Sequence, residues 1–198
     1  MDVLRVWAKD PFGAELAQVN VTDGSLSATG VAIGTHPVPY RLDYELTTTD
    51  AYVTARLVVR AQGNAWRRVL DLRRAASGAW SCTTGSDGDL DQPAPGGDLA
   101  TVHGALDCDL GLSPTTNSMP VLRHRLHERG GPTDLLMAWV SVPDLAVHPS
   151  RQRYAFVRRE SQARIVRFQS LDSAFEAEIG FDDDGVVLDY PGIARRVA

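Results

Sequence analysis

The chain has little lysine and little cysteine. Among its 198 residues Lys9 is the one lysine, and the other 19 cationic side chains are arginines. Two explanations fit this bias: a GC-rich genome, or forked recognition of phosphate and carboxylate, which arginine performs better than lysine. The two cysteines, Cys82 and Cys108, form neither a CxxC pair nor a zinc-binding spacing. We therefore predict reduced thiols and no metal centre built on cysteine.

Long apolar runs are also missing. No stretch approaches the roughly 18 residues that a membrane-spanning helix needs, and no apolar signal-like segment follows Met1. These features predict a cytoplasmic protein without a transmembrane segment. The net charge of −5 makes nucleic acid an unfavoured partner.

The length and composition are those of an ordinary globular protein. Apolar residues make up 43% of the chain and charged residues 23%. A chain of this length buries roughly 70% of the surface of its unfolded form, so it forms a core without disulfides. We expect a single β domain over residues 1–198, with two β-rich halves joined near residues 84–98 as the alternative.

Apolar and polar residues alternate in many short segments, which is the pattern of half-buried strands. Strands are predicted over 38–46, 53–59, 66–72, 154–156, 165–167 and 175–181, and a tight hairpin over 181–186. Leu135 to Val142 is apolar on both faces and predicts a central buried strand. The predicted fold is an all-β, many-stranded antiparallel sheet curled into a half-barrel or barrel.

Two segments depart from this pattern. Ser81 to Asp98 is rich in glycine, proline and aspartate, which predicts a surface loop or a junction between two halves. Ser118 to Arg125 fits a short helix if Pro120 lies in its first turn.

The segment from Leu106 to Leu126 is the strongest candidate for a polar site. Asp107 and Asp109 share one face of a predicted strand, with Cα atoms roughly 6.5 Å apart. Three interpretations stay open: ion pairs with arginines of neighbouring strands, hydrogen bonds to sugar hydroxyls, or an acid–base pair for hydrolysis of a glycoside or ester. Arg123 and Arg125 are candidate partners of these acids, or a grip for an acidic head group.

Other patterns predict less chemistry. His124 and His127 would share a helix face, but no third metal ligand follows at a suitable spacing. The acidic residues 87, 89, 91 and 98 lack the central glycine and final glutamate of a calcium loop. The sequence contains no phosphate-binding glycine loop, no GxSxG elbow and no spaced catalytic triad. We therefore expect no cofactor and favour a binding protein over an enzyme.

Several motifs occur together, in order, along nearly the whole chain. They are Tyr52-Val-Thr-Ala-Arg56 with Trp66, Gly104-Ala-Leu-Asp-Cys-Asp-Leu110, Ser113-Pro-Thr-Thr-Asn117 with Pro120 and Arg123, Trp139-Val140 with Pro143, Gln152-Arg153-Tyr154, and Asp189-Tyr-Pro-Gly-Ile-Ala-Arg-Arg-Val197. In these motifs the chain resembles a bacterial family described as "putative glycolipid-binding" proteins. The resemblance implies a half-barrel fold reminiscent of lipoprotein carriers and an amphipathic ligand such as a glycolipid.

Together these observations predict a concave β cleft that binds an amphipathic small molecule. Aromatic and aliphatic side chains would contact the acyl part, while acids, amides and guanidinium groups would contact the polar part. The candidate ligand-binding residues are Arg56, Trp66, Asp107, Asp109, Thr115, Asn117, Arg123, Arg153, Tyr154 and Tyr190.

Overall fold

The computed structural model describes residues 3–10 and 12–198, and fourteen strands in this part of the chain form one sheet. The strands are β1 (Val3–Lys9), β2 (Gly13–Thr22), β3 (Ser25–Gly34), β4 (Tyr40–Thr48), β5 (Thr54–Gly63), β6 (Trp66–Arg74), β7 (Trp80–Gly88), β8 (Asp107–Leu110), β9 (Thr133–Val140), β10 (Val147–Arg159), β11 (Arg164–Ser170), β12 (Glu176–Phe181), β13 (Val187–Tyr190) and β14 (Ala194–Arg196). One α-helix, α1 (Ser118–Arg123), and the 3-10 turns Asp50–Tyr52, Leu99–Val102 and Thr115–Asn117 complete the regular structure of the described residues.

The strand order is β7-β6-β5-β4-β3-β2-β1-β14-β13-β12-β11-β10-β9-β8. Neighbouring strands are antiparallel except for β8 and β9, which are parallel. The first and last strands of the chain, β1 and β14, pair and so join the two arms of the sheet. The predicted all-β, many-stranded sheet is confirmed, with one parallel pair at its edge.

The sheet is strongly curled. Strands β5 and β8 lie eleven positions apart in the strand order, yet the Cys108 backbone N–H donates to Thr54 Oγ1 at 2.9 Å. At the β7 edge, the Trp80 indole N–H donates to the Ala105 carbonyl at 3.2 Å. These contacts require the inner face of the sheet to wrap around β8, although the two edge strands do not pair with each other.

Aromatic rings on the inner face cover glycines of neighbouring strands. Gly30 pairs with Tyr44, and a Cβ built on Gly30 would lie 2.4 Å from the Tyr44 ring. Tyr40 covers its partner Gly34 in the same way, and Trp66 covers Gly63. Each glycine therefore lets a large ring lie flat against the sheet, which fixes the register at that position.

Helix α1 is buried inside the curl. Met119 and Val121 are fully buried, and Pro120 lies in the first turn, where its missing N–H has no helical acceptor to lose. The predicted short helix is confirmed. Because Arg123 ends this helix and Arg125 follows it, the two arginines do not lie on one strand.

The expected loop over 81–98 is partly wrong. Strand β7 occupies Trp80–Gly88 and pairs along its whole length with β6. Only Trp80 of this strand is buried, so an edge strand with polar residues on both faces shows no alternation in its sequence. The chain that follows is anchored, since Leu90 is buried and the Gly96 N–H donates to the Leu145 carbonyl at 2.9 Å.

We predict that Gly30→Ala destabilises the protein by about 1–3 kcal/mol, because the new methyl group must displace the Tyr44 ring. Urea denaturation at constant temperature measures the loss. Gly131→Ala is the control, since a Cβ at that exposed glycine meets nothing within 4 Å. Equal stability of the two variants would contradict the covering role of Tyr44.

Candidate functional site

A cavity of about 630 Å³, called here the main cavity, is lined by residues of β8, β9, β10, β11 and β13 and of the loops beside them. Its volume lies in the range of small-molecule sites. Its walls are formed by His36, Pro37, Asp109, Leu110, Gly111, Leu112, Ser113, Asn117, Trp139, Ser141, Val142, His148, Pro149, Ser150, Gln152, Phe168, Ser170, Asp172, Ser173, Phe175, Tyr190 and Ile193.

Aromatic side chains form much of the apolar wall. Phe168, Phe175 and Tyr190 pack against one another with ring centroids 5.8 to 6.3 Å apart. Trp139 packs against His148 with centroids 5.8 Å apart. Phe175 is 43% exposed, so its ring offers apolar surface at the mouth of the cavity. Such rings bury large apolar area when a ligand covers them.

Asp109 provides a buried carboxyl group on the cavity wall. Its Oδ1 accepts from the Thr116 hydroxyl at 3.0 Å, and its Oδ2 accepts from the Gln152 amide at 2.7 Å. No salt bridge to Asp109 exists among residues 3–10 and 12–198. Burial raises the pKa of Asp109; the two hydrogen bonds oppose this rise, whereas the nearby charge of Asp107 adds to it.

Gln152 connects Asp109 to a second group of buried polar side chains. The Tyr154 hydroxyl donates to Gln152 Oε1 at 3.0 Å, and the Asn117 amide donates to the Tyr154 oxygen at 2.9 Å. Burial raises the pKa of Tyr154 well above its ordinary value, so the phenol stays protonated and can donate. The network fixes the orientation of Gln152 and Asn117, both of which reach the cavity wall.

Asp107 lies on the same strand but outside the cavity lining. Arg123 binds both of its carboxylate oxygens, with Nη1 to Oδ1 at 2.7 Å. Both side chains are almost fully buried, and burial raises the pKa of Asp107 against the opposing effect of Arg123. One ion pair of the kind expected from the sequence is thus present, whereas Asp109 has an amide and a hydroxyl in place of an arginine.

A second buried polar cluster lies behind Ser113. Glu15 is fully buried and accepts hydrogen bonds from Tyr44, Ser113 and Thr115. The ammonium group of Lys9 lies 3.1 Å from the other carboxylate oxygen, and the Lys9 side chain is 5% exposed. Lys9 is therefore a buried structural cation, and this cluster anchors the Ser113–Asn117 turn to the opposite arm of the sheet.

The expectation that all candidate residues surround one recess is wrong. The structure brings Asp109, Asn117 and Tyr190 to the main cavity. The other seven lie elsewhere. Three arginines bind acids: Arg56 pairs with Asp71, Arg153 with Asp134 and Arg123 with the candidate Asp107. Thr115 binds Glu15, Tyr154 lies behind Gln152 and Trp66 covers Gly63. Long arginine side chains reach cross-strand acids at short range, and the sequence does not show which face those acids occupy.

Several residues of the cavity escaped the sequence reasoning. These are Gln152, Trp139, His148, Phe168 and Phe175, together with the serines of the mouth. Gln152 and Trp139 do lie in motifs of the family resemblance, next to the residues that were chosen. The two-residue period of a strand could have identified Gln152. Arg153 and Gln152 are successive residues and therefore point to opposite faces, so only one of them can face the cavity.

In the part of the chain that the structure describes, no group of three or more His, Cys, Asp or Glu side chains is arranged to hold a metal ion. No helix within the same residues has the length and apolar character needed to span a membrane.

The family model described as "putative glycolipid-binding" matches residues 5–196. The chain belongs to this family. No curated protein shows significant similarity to it.

Two solved structures resemble this fold. One is a DUF1089 family protein from Pseudomonas aeruginosa, with 26% identity, a TM-score of 0.70 and 92% of each chain covered. The other is a beta-barrel-like protein of the domain of unknown function DUF1849 from Brucella abortus. It shares 9% identity and a TM-score of 0.51, and the match covers 98% of this chain and 94% of that one. The second likeness concerns the fold alone.

The buried Arg123–Asp107 pair yields a stability prediction. Arg123→Met should cost about 3–5 kcal/mol, because it leaves a buried carboxylate without its partner. Arg56→Met is the matched control: it breaks a similar two-pronged pair with Asp71 in which the arginine is 43% exposed, and should cost far less. Chemical denaturation of both variants at neutral pH provides the comparison. A similar loss of stability in the two variants would show that burial does not make the Arg123–Asp107 pair more important for stability than the exposed pair.

The raised pKa of Asp109 predicts a specific pH dependence. The folded carboxyl keeps its proton to a higher pH than the unfolded one, whose value is about 3.9. The contribution of Asp109 to the free energy of unfolding therefore falls as pH rises from that value through the folded pKa, and is constant above the folded pKa. Asp109→Asn should remove this loss, so the variant should gain stability relative to wild type across that window.

Urea denaturation from about pH 3.5 upward tests this expectation. The exposed Asp91→Asn variant controls for the loss of one charge. Parallel stability curves for wild type and Asp109→Asn would contradict a raised pKa at this site.

Proposed function

We propose that the main cavity binds one amphipathic molecule, a glycolipid or a lipid-like compound, and that the protein acts as a carrier or sensor. One observation supports this proposal most strongly: aromatic rings, a buried hydrogen-bonded carboxyl group and two side-chain amides line the same cavity of about 630 Å³. Membership of the family supports the same ligand class.

The two surfaces of the cavity suit the two parts of such a ligand. Phe168, Phe175 and Tyr190 would cover an acyl chain or another apolar part. Asp109 and Gln152 would receive the polar head, since each is held in place by neighbours and needs no reordering on binding.

The geometry favours binding over hydrolysis by the pair considered from the sequence. Asp107 does not line the cavity, and Arg123 occupies both of its oxygens. Asp109 thus faces the cavity without Asp107 as the second carboxylate of a glycosidase pair, and Asp172, the other carboxylate of the lining, is bound by Arg151.

Thermal unfolding of delipidated protein with octyl glucoside, kept below its micelle concentration, tests the proposal. The midpoint should rise with ligand concentration, and the stabilisation should follow RT ln(1 + [L]/Kd) for a single site. Phe175→Ala should weaken binding about tenfold, because it removes the phenyl ring, of which the exposed part (Phe175 is 43% exposed) would contact the ligand.

Leu16→Ala is the matched control, because Leu16 is also 43% exposed and lies on β2 outside the main cavity. Its affinity should equal that of wild type. Absence of any midpoint shift with a series of amphiphiles would contradict the proposed function, and equal weakening in both variants would place binding elsewhere.

A further inference from the structure

We infer that the main cavity selects uncharged, hydroxyl-bearing head groups and rejects anionic ones, with Asp109 as the residue that determines this specificity. The inference rests on the proposed function, because it names the class of head group that the same cavity accepts. Fatty acids, anionic phospholipids and sulfated lipids would then be excluded by charge.

The charges along the cavity carry the argument. Its lining contains two carboxylates, Asp109 and Asp172, and among the described residues that form it there is neither a lysine nor an arginine. Cavities that receive phosphate or carboxylate groups usually present arginine forks or lysines. This chain contains 19 arginines, yet it places none of them on the cavity wall.

The two carboxylates differ in how far they are neutralised. Asp172 lies at the mouth and accepts from the Arg151 backbone N–H at 2.6 Å and from its guanidinium at 2.7 Å. Asp109 lies on the buried wall, and the two side chains that donate hydrogen bonds to it, Thr116 and Gln152, are both uncharged. Neither partner therefore balances the charge of the Asp109 carboxylate when it is ionised.

An anionic head group at the Asp109 wall would meet one of two costs. It would lie beside a like charge in a poorly solvated place, or it would require Asp109 to take up a proton. The second cost grows as the pH rises above the pKa of Asp109. An uncharged hydroxyl meets neither cost, because it donates a hydrogen bond to the carboxylate.

Serine hydroxyls on the wall of the same cavity also suit a hydroxyl-bearing head group. Ser150 Oγ accepts from the Gln152 amide at 3.2 Å and keeps its own hydrogen for donation. Ser170 and Ser173 accept from the backbone N–H groups of Asp172 and Phe175 at 3.3 Å, and each likewise retains a hydrogen. A sugar-like head, whose hydroxyls both donate and accept, would match this mixture of acceptors and donors.

Two probes with the same octyl tail test the inference: octyl glucoside and octyl sulfate, each below its micelle concentration. Isothermal titration at about pH 8, where histidine charge is small, gives both affinities. The glucoside should bind wild type at least tenfold more tightly than the sulfate. The common tail makes the ratio a measure of the head group alone.

Asp109→Asn should close most of that gap, mainly by strengthening octyl sulfate binding. The asparagine fits the site with its oxygen toward the Gln152 amide and its nitrogen toward Thr116 Oγ1, whose hydroxyl then donates to the Ser113 carbonyl. Asp91→Asn, on the exposed loop, should leave the ratio unchanged.

His148→Arg is a second variant that does not depend on replacing a buried group. His148 is exposed at the cavity mouth, so an arginine there adds a fixed positive charge without disturbing the core. It should improve octyl sulfate binding relative to the glucoside.

The outcomes separate the two proposals. Equal affinity of wild type for both probes overturns the charge selection and leaves the proposed function standing. An unchanged ratio in Asp109→Asn overturns the role of Asp109. Absence of binding by either probe overturns the proposed function together with this inference.

Discussion

Two carboxylates on one buried strand impose the main constraint on this fold. Asp107 and Asp109 project from the same face of β8, and both are at least nine-tenths buried. Each needs donors, because an unpaired buried charge is costly. Arg123 of the inner helix satisfies Asp107 with a complete ion pair, whereas Thr116 and Gln152 satisfy Asp109 without neutralising it. Asp107 therefore has a structural role on this strand, whereas Asp109 faces the cavity.

The curl of the sheet makes this arrangement possible. A flat sheet would leave β8 exposed at its edge, whereas here Thr54 on the distant strand β5 accepts from the Cys108 backbone. Tyr44 spans the interior from β4, covering Gly30 and donating to buried Glu15. The interior is thus filled by β8, helix α1 and large rings on one side. The main cavity lies on the other side, against β9, β10, β11 and β13.

The sequence predicted the strand-rich class well because β4, β5, β6, β11 and β12 alternate apolar with polar residues. It did not reveal β1 to β3, whose inner positions include small residues such as Ala17, Ala28 and Ala32 that give little contrast with their polar neighbours. It did not reveal β7 either, because an edge strand exposed on both faces has no period to detect.

For the site, the sequence located the acidic strand and the Ser113–Asn117 turn but not the cavity around them. Composition favours arginines as ligand contacts, whereas most of these side chains pair with acids elsewhere, as Arg153 does with Asp134 on the neighbouring strand. The aromatic wall depends on which strands lie opposite each other: Phe168 and Tyr190 come from strands two positions apart in the sheet. Such proximity is a property of the topology, which no local pattern encodes.

The central claim is that Asp109 and the aromatic wall together form one binding site. A crystal structure of the protein with octyl glucoside tests this most directly. We predict a glucoside hydroxyl within about 3 Å of the Asp109 carboxylate and the octyl chain against Phe168 and Phe175. A ligand bound only on the outer face of the sheet, with the main cavity filled by rearranged side chains, would contradict the account.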